Sequence, residues 1–385
     1  MKQWTCFYLL GALTVLLAGP GRLTSAEPPR PAPEVDELFD RPRVLPLKIE
    51  IPGPSLEELK KEPKKYVKAN VREGDKTYAE VGIRMKGSGS FQSIEKKPSL
   101  SIKFNEFVTG ALFHGHSRIL LDSSAPDPSY LMAAIGGEIF RAANVPAPKI
   151  SFAQVELNGQ NLGLYVLEQA VNRDFLSEYF QKTKGNLYEG DNADVNEKLD
   201  RDGGEKSQEQ PDLRALASAA REGDPATRLK KLSGVLDLDR FISLAAVDVF
   251  TWNQSGYTLG RNNYRVYHDP NSNLMVFIPH GLDELFGKTG GALMPEWKGL
   301  VAKAVFETQE GQRRYREQMA RLLGTAFKPE PQQAKINELS GKIRPIVTRD
   351  ANAVKAFDTA TAQLRERIAE RARYIDQQLK TQPAK

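Results

Sequence analysis

Cysteine is all but missing from this 385-residue sequence: Cys6 is the only one. It falls in an N-terminal stretch that reads as a removable leader, so the mature chain is expected to carry no thiol. That excludes a cysteine nucleophile, a zinc–thiolate centre and a disulfide framework. Cys6 also precedes the apolar segment, too early for a lipid-attachment cysteine. Histidine is scarce, with His114, His116, His268 and His280 alone. His114 and His116 could chelate a metal, but no acid or third histidine sits at helical or hairpin spacing, and the pair reads as a surface loop. There is no Walker loop, no Gly-x-Ser-x-Gly elbow and no His-Glu-x-x-His. Nor does one sign of charge dominate, with 54 Lys and Arg against 49 Asp and Glu. The formal charge of +5 falls to +3 once Lys2 and Arg22 leave with the leader. So near a balance argues against a nucleic-acid partner. Lys60, Lys61, Lys64, Lys65 and Lys68 read as a solvated helix face or a local anionic contact.

Long apolar runs are equally rare. Trp4 to Leu17 is one, and it falls short of the ~20 residues a membrane helix needs. It follows Lys2, is broken by Gly19 to Leu23, and leads to the small residues Thr24-Ser25-Ala26. This is the order of a secretory signal peptide over residues 1–26, an uncleaved anchor being the alternative. The chain is therefore expected to be exported, periplasmic or extracellular at the cell surface. No transmembrane segment is expected in the mature chain. Residues 27–46 are rich in proline and alternating charge and read as a stiff linker. The rest, 47–380, is long enough for one large domain or two joined lobes.

What is present is a mixture of period-two and helical patterns. Val81, Ile83 and Met85 alternate with Gly82 and Arg84, and Leu100, Ile102 and Phe104 alternate around Lys103. This predicts strand, Gly/Ser loop, strand. Residues 129–143 predict a helix stopped by Pro146 and Pro148. Two strands flank Asn158-Gly159, a strong hairpin signal, and Asn172 is placed to cap a helix over 173–180. Asp237 caps a helix to Trp252. Strands 264–267 and 274–278 follow, and one long amphipathic helix closes the chain from 353 to 379. Residues 190–212 are polar and glycine-containing and read as a surface insertion or mobile loop. Their acids do not match the helix-loop-helix calcium spacing.

Two constellations could carry chemistry. In the first, Arg84-x-Lys86-Gly87-Ser88-Gly89-Ser90 precedes a strand bearing Lys103. A loop with free backbone N–H groups between lysines can cradle phosphates; a solvated Gly/Ser hairpin is the other reading. In the second, a helix, a loop with Ser255, the pair Asn262-Asn263, a hairpin and Asp283 follow in order. Asn and Asp are oxygen donors suited to Mg²⁺. The same residues could instead bond turns and cap a short helix.

These runs resemble the CotH (spore-coat-protein-H) kinase-like family. Gly82-Ile-Arg-Met-Lys-Gly-Ser-Gly-Ser-Phe91 with the lysine-rich strand after it is similar to the family's amino-terminal motif. Gly163-Leu-Tyr-Val-Leu-Glu168 and Asn172-Arg-Asp-Phe-Leu176 resemble its middle, and Asn262-Asn-Tyr264 with Pro279-His-Gly-Leu-Asp-Glu-Leu-Phe286 its carboxy-terminal signature. The resemblance implies an α+β, atypical protein-kinase-like fold in two lobes, with antiparallel sheets and packed helices. It implies phosphorylation of Ser/Thr on secreted or envelope proteins with ATP and Mg²⁺ (or Mn²⁺), by a chain expected to be a monomer. On it, Lys103 would pair with ATP phosphates beside Arg84 and Lys86, Glu168 would orient a lysine, Asn263 or Asn262 would be a metal ligand, and Asp283 would hold the metal. Ser255 stands where many members have an aspartate that takes the substrate's proton, and His280-Gly281 replaces Trp-Asp. The alternative is therefore a catalytically degenerate pseudokinase, a structural or binding protein of the cell envelope.

Overall fold

The computed structural model describes Met1 and residues 36–87, 91–204, 209–347 and 351–381. The leader after Met1, the linker up to residue 35, Ser88 to Ser90 of the Gly/Ser loop, and 205–208 of the polar segment lie outside the described residues. Seven strands close into a barrel. They are β1 (Val44–Glu50), β2 (Val67–Glu73), β3 (Lys76–Met85), β4 (Leu100–Lys103), β5 (Arg118–Asp122), β6 (Ile150–Leu157) and β7 (Gln160–Gln169). Their order is β1-β2-β3-β4-β5-β7-β6, antiparallel except where β1 meets β6. Alternation does the sorting, because a strand's side chains point to opposite faces. Val81, Ile83, Met85, Leu100 and Ile102 go inward with Leu47, Ile49, Ile119 and Leu121. Asn158 and Gly159 both take positive φ, +48° and +81°. Two such residues fit the tight hairpin twist, and the Asn158 side chain also accepts from the Ile51 N–H at 2.7 Å.

A second sheet has the order β11-β10-β8-β9. Its strands are β8 (Leu187–Gly190), β9 (Asp200–Gly203), β10 (Tyr264–Asp269) and β11 (Leu274–Pro279). The described helices are α1 (Gly53–Lys61), α2 (Met132–Ala142), α3 (Arg173–Tyr179), α4 (Pro211–Ala220), α5 (Pro225–Ser233), α6 (Leu238–Thr251), α7 (Tyr257–Gly260), α8 (Leu300–Phe306), α9 (Gln309–Thr325), α10 (Pro329–Val347) and α11 (Ala351–Thr381). The Asn172 side chain caps α3 and Asp237 caps α6, as their sequences predict. Helix α6 is central, with Phe241, Ile242, Ala245, Val249 and Phe250 all buried. Each large apolar side chain so removed from water contributes about 1.5–3 kcal/mol. The mixture of helices and sheets agrees with the α+β expectation. The barrel and the helical part each have their own apolar core, although Asp36 to Lys385 forms a single compact unit. Among the described residues no helix is long and apolar enough to cross a membrane.

Three readings need correction. The proline-rich stretch does not stay a linker to residue 46. Leu38 and Phe39 are buried, and β1 begins at Val44. Nor is His116 on a surface loop: it is buried and bonds Asp36 at 3.0 Å, while His114 bonds Glu73 at 2.7 Å. The described part of the polar segment 190–212 is built into the fold. Its few apolar side chains, Val195 and Leu199, are buried, it supplies β9 and the start of α4, and Asp194 accepts from the Tyr257 hydroxyl at 2.9 Å. Composition hides this, because Asp194 and Asp202 are satisfied by partners distant in the chain.

Candidate functional site

Strand register sets one wall of the site. Arg84 lies opposite Ser101, Ser101 opposite Leu120, and Leu120 opposite Glu168, so one row crosses β3, β4, β5 and β7 on the barrel's outer face. All four line a cavity of about 420 Å³, with Lys86, Arg118 and Asp122 from the same strand ends. The opposite wall carries Glu189, Asn263, Arg265, His280, Gly281 and Asp283. A more open groove of about 840 Å³ beside α4 is larger, but its charged residues are exposed or half-buried. The smaller cavity is where buried charges converge.

Lys86 is the hub of that convergence. Its Nζ lies 2.9 Å from Asp122 and 3.5 Å from Glu168. Burial alone would lower the pKa of the Lys86 ammonium, but Asp122 and then Glu168 outweigh it and hold the pKa above its ordinary value. Burial raises the pKa of Glu168, against the pull of Lys86. Asp122 is kept low by Lys86 despite its burial, and also accepts from the Ser124 N–H at 2.8 Å. A lysine fixed by two acids is a preorganised phosphate partner.

The other wall is shaped by the loop after α6. Trp252 ends the helix in the left-handed region at φ +47°, and Asp248, fully buried, accepts from Asn253 at 2.9 Å and Thr258 at 2.7 Å. Burial pushes the Asp248 carboxyl up to about 7. Asn263 is also left-handed at φ +45°, and its amide donates to the Gly281 carbonyl at 3.1 Å. Gly281 itself has φ +60°, and a Cβ there would meet Asn263 Nδ2 at 2.7 Å. That is why an acid cannot stand at 281 while Asn263 keeps this place. We expect Gly281→Ala to displace Asn263 and destabilise the fold by about 1–3 kcal/mol; urea denaturation would measure it. Asp283 sits two residues on, where burial and then the Asp122 carboxylate push it up to about 7. His280 is kept neutral, chiefly by burial and next by Arg265, and its buried Nε2 has no partner.

The structure therefore brings Arg84, Lys86, Glu168, Asn263 and Asp283 to one cavity. Three expected residues are placed elsewhere. Lys103 is outside the cavity lining, its ammonium 2.5 Å from Glu106. Asn262 accepts from the Asn192 N–H at 3.1 Å. Ser255 donates to Glu284 at 3.4 Å, also outside the cavity lining. Sequence reading passed over Arg118, Asp122 and Arg265. The signal for the first two was Arg118-Ile-Leu-Leu-Asp122, a short run with charges at both ends and on one face. Among the described residues no three or more His, Cys, Asp or Glu side chains cluster as metal ligands. Mg²⁺ needs fewer, since it is bound through one or two protein oxygens together with phosphates and water. Asp283, raised by burial and then by the Asp122 carboxylate against the pull of Lys86, fits such a cation, and Asn263 retains Oδ1 as a neutral oxygen donor.

The family model described as CotH kinase protein matches residues 83–379. A curated relative, inner spore coat protein H of Bacillus subtilis (strain 168), is 24% identical over 309 residues, covering 74% of this chain and 83% of the relative. Two solved structures are also similar. The Helicobacter pylori proinflammatory kinase CtkA has a TM-score of 0.36 at 7% identity, covering 76% of this chain and 96% of that one. HipA, in the Shewanella oneidensis MR-1 complex with HipB and operator DNA, has a TM-score of 0.37 at 10% identity, covering 86% and 73%. Both are too distant to place individual residues.

Proposed function

As the chain belongs to the CotH kinase protein family, we propose that it is an exported, atypical protein kinase that takes ATP with Mg²⁺ (or Mn²⁺) and phosphorylates Ser/Thr of secreted or surface proteins. The observation that carries this reading is the Lys86–Asp122–Glu168 cluster facing Asn263 and Asp283 in one cavity. Lys86 takes the phosphate-binding role that the resemblance gave to Lys103, and Glu168 and Asp122 orient it. Asp283 and the Asn263 Oδ1 would hold the metal, which supplies charge neutralisation for the transferring phosphate. The coat protein relative supports a place at a cell surface or coat. A two-lobed kinase arrangement is supported by the two distinct apolar cores.

A second reading, nucleotide binding without transfer, is favoured by Ser255. It bonds Glu284 outside the cavity, and the nearby Asp248 is committed to Asn253 and Thr258. Incubation with labelled ATP and Mg²⁺ or Mn²⁺ separates the readings. We expect label on the chain itself or on envelope proteins, lost in Asp283→Ala. A nucleotide-dependent thermal shift with no label would establish the second reading, and neither label nor shift would overturn both.

The Asp283 carboxyl, raised to about 7, gives the reading a pH signature. Metal must displace its proton. Mg²⁺-dependent ATP affinity should therefore rise roughly tenfold per pH unit below pH 7 and level off above it. The sign for stability is opposite. An acid whose folded pKa is raised stabilises the fold at low pH and loses that contribution as pH rises through 7. Asp248 acts in the same direction, so the metal-free protein should melt at a higher temperature at pH 5.5 than at pH 8. Thermal melts at the two pH values, with and without Mg²⁺ and ATP, would check this.

A further inference from the structure

A second charge network, apart from Lys86, includes Arg118 and Arg265 of the same cavity lining. Asp202, on β9, accepts from Arg118 Nη2 at 3.0 Å and from Arg265 Nη1 at 2.7 Å, both on the single oxygen Oδ2. Arg118 comes from the barrel and Arg265 from the second sheet, so one carboxylate ties the two walls together. Burial would raise the pKa of Asp202, but Arg265, then Arg118, and also Arg84 bring it down to about 2. Arg265 turns its other nitrogen to Glu189 at 2.8 Å. Arg84 has only a 3.4 Å contact to the Lys64 carbonyl and lies over the Tyr66 ring. Among the described residues both Arg84 Nε and Arg118 Nε are buried with no hydrogen-bond partner, while Arg118 Nη2 also donates to the Val171 carbonyl at 3.3 Å.

That pattern is one of donors in excess. Three guanidiniums face two carboxylates, Asp202 and Glu189, and Asp202 serves Arg118 and Arg265 through one atom. Buried donors left without acceptors are costly and rarely persist without a purpose. Guanidiniums match phosphate through paired N–H groups and carry charge suited to a dianion. β9 is also an edge strand, paired to β8 alone with a register shift between Leu187 and Tyr188. It can leave without breaking a ladder on its other side.

We propose that Arg84, Arg118 and Arg265 form a phosphate site and that Asp202 is its built-in occupant, displaced when a phosphate group binds. The phosphate is either the terminal one of a nucleotide or one already carried on a side chain of the substrate. The idea rests on the reading of the cavity as phosphate-binding, but not on any transfer step. Exchange would free Asp202, release β9 from the barrel wall and so report occupancy of the site.

Calorimetric titration of the full chain, in wild type, Asp202→Asn, Arg118→Gln and the double variant, tests it with ATP, ADP, pyrophosphate and phosphoserine as probes. Removing the competing carboxylate should tighten at least one probe by about fivefold or more, and removing Arg118 should cancel that gain. A gain for ATP but not ADP assigns the terminal phosphate; a gain for phosphoserine alone assigns the substrate's. Hydrogen exchange on the wild-type chain needs no variant: the saturating probe should raise exchange at residues 200–203. If the chain binds no nucleotide, the proposed kinase reading fails, yet a pyrophosphate gain with faster exchange at β9 would uphold this site. Affinities within twofold for every probe in Asp202→Asn, with unchanged exchange at β9, would overturn it.

Discussion

On the proposed kinase reading, replacing Lys86 by Met should abolish phosphate transfer; in any case it should lower stability at pH 8 by about 3 kcal/mol, with a smaller loss at pH 5. The side chain bridges Asp122 and Glu168 at 2.9 and 3.5 Å, and the variant leaves both acids beside Asp283 with no cation between them. Removing one partner of a buried ion pair costs roughly 3–5 kcal/mol, and the lower end applies here because Lys86 retains some exposure. The sign with pH follows from the acids. Without Lys86 the folded pKa values of Asp122 and Glu168 rise, so both protonate more readily as pH falls and the penalty shrinks. Lys86→Met/Asp122→Asn should recover part of the stability while transfer stays absent. Denaturant titrations at both pH values, beside the labelled-ATP assay, separate the structural loss from the functional one. Recovered transfer in the double variant would remove Lys86 from the site.

How much of this was legible in the sequence depends on how local the determinants are. The hairpin at Asn158-Gly159, the caps at Asn172 and Asp237 and the long terminal helix were readable because each is decided within a few residues. Closure of the barrel was not, since it depends on β1 lying parallel to β6 across more than a hundred residues. Strand β5 escaped because five residues carry too little period-two signal, and β9 because its sequence, Asp-Arg-Asp-Gly, has no apolar residue at all. Its acids become structural only when Arg118 and Arg265 arrive from elsewhere.

The candidate site shows the same division. The motif resemblance placed Asn263, Asp283, Arg84, Lys86 and Glu168 near one another, and they do share the cavity. It gave the phosphate role to Lys103, with Lys86 only nearby, and the structure reverses that order. Lys103 stands opposite Gly82 and Arg118, one row away from Arg84, Ser101, Leu120 and Glu168, and Glu106 three residues on takes its charge. Lys86 instead hydrogen-bonds its backbone to Ser99, which sets its ammonium between acids from β5 and β7. Asn262 and Asn263 were indistinguishable until the left-handed Asn263 was seen against Gly281.

Arg371→Met should be the most destabilising substitution outside the cavity, costing about 3–5 kcal/mol and lowering the melting temperature by ~5 °C for a chain of this size. The guanidinium on α11 is 1% exposed, and no acid pairs with it. It donates instead to the carbonyls of Thr289 at 2.9 Å, Gly291 at 2.5 Å and Val249 at 2.7 Å. Val249 belongs to the last turn of α6, where the helix dipole presents partial negative charge. The ring of Trp252, 5.5 Å away, adds a cation–π contact. This is thin compensation for a buried charge, and burial accordingly brings its pKa down to about 10. Methionine would fill the volume but take a donor from three carbonyls, of which Val249 keeps the Trp252 N–H at 3.3 Å. The same contacts tie α11 to the segment that follows Asp283 and to the end of α6, from which the loop to Asn263 departs. Loosening them should therefore weaken the proposed nucleotide binding as well as folding. Arg371→Lys tests whether the fork or the charge matters: one ammonium cannot span carbonyls on two separate segments, so it should recover less than half of the lost stability. Full recovery by lysine would show that charge alone suffices there.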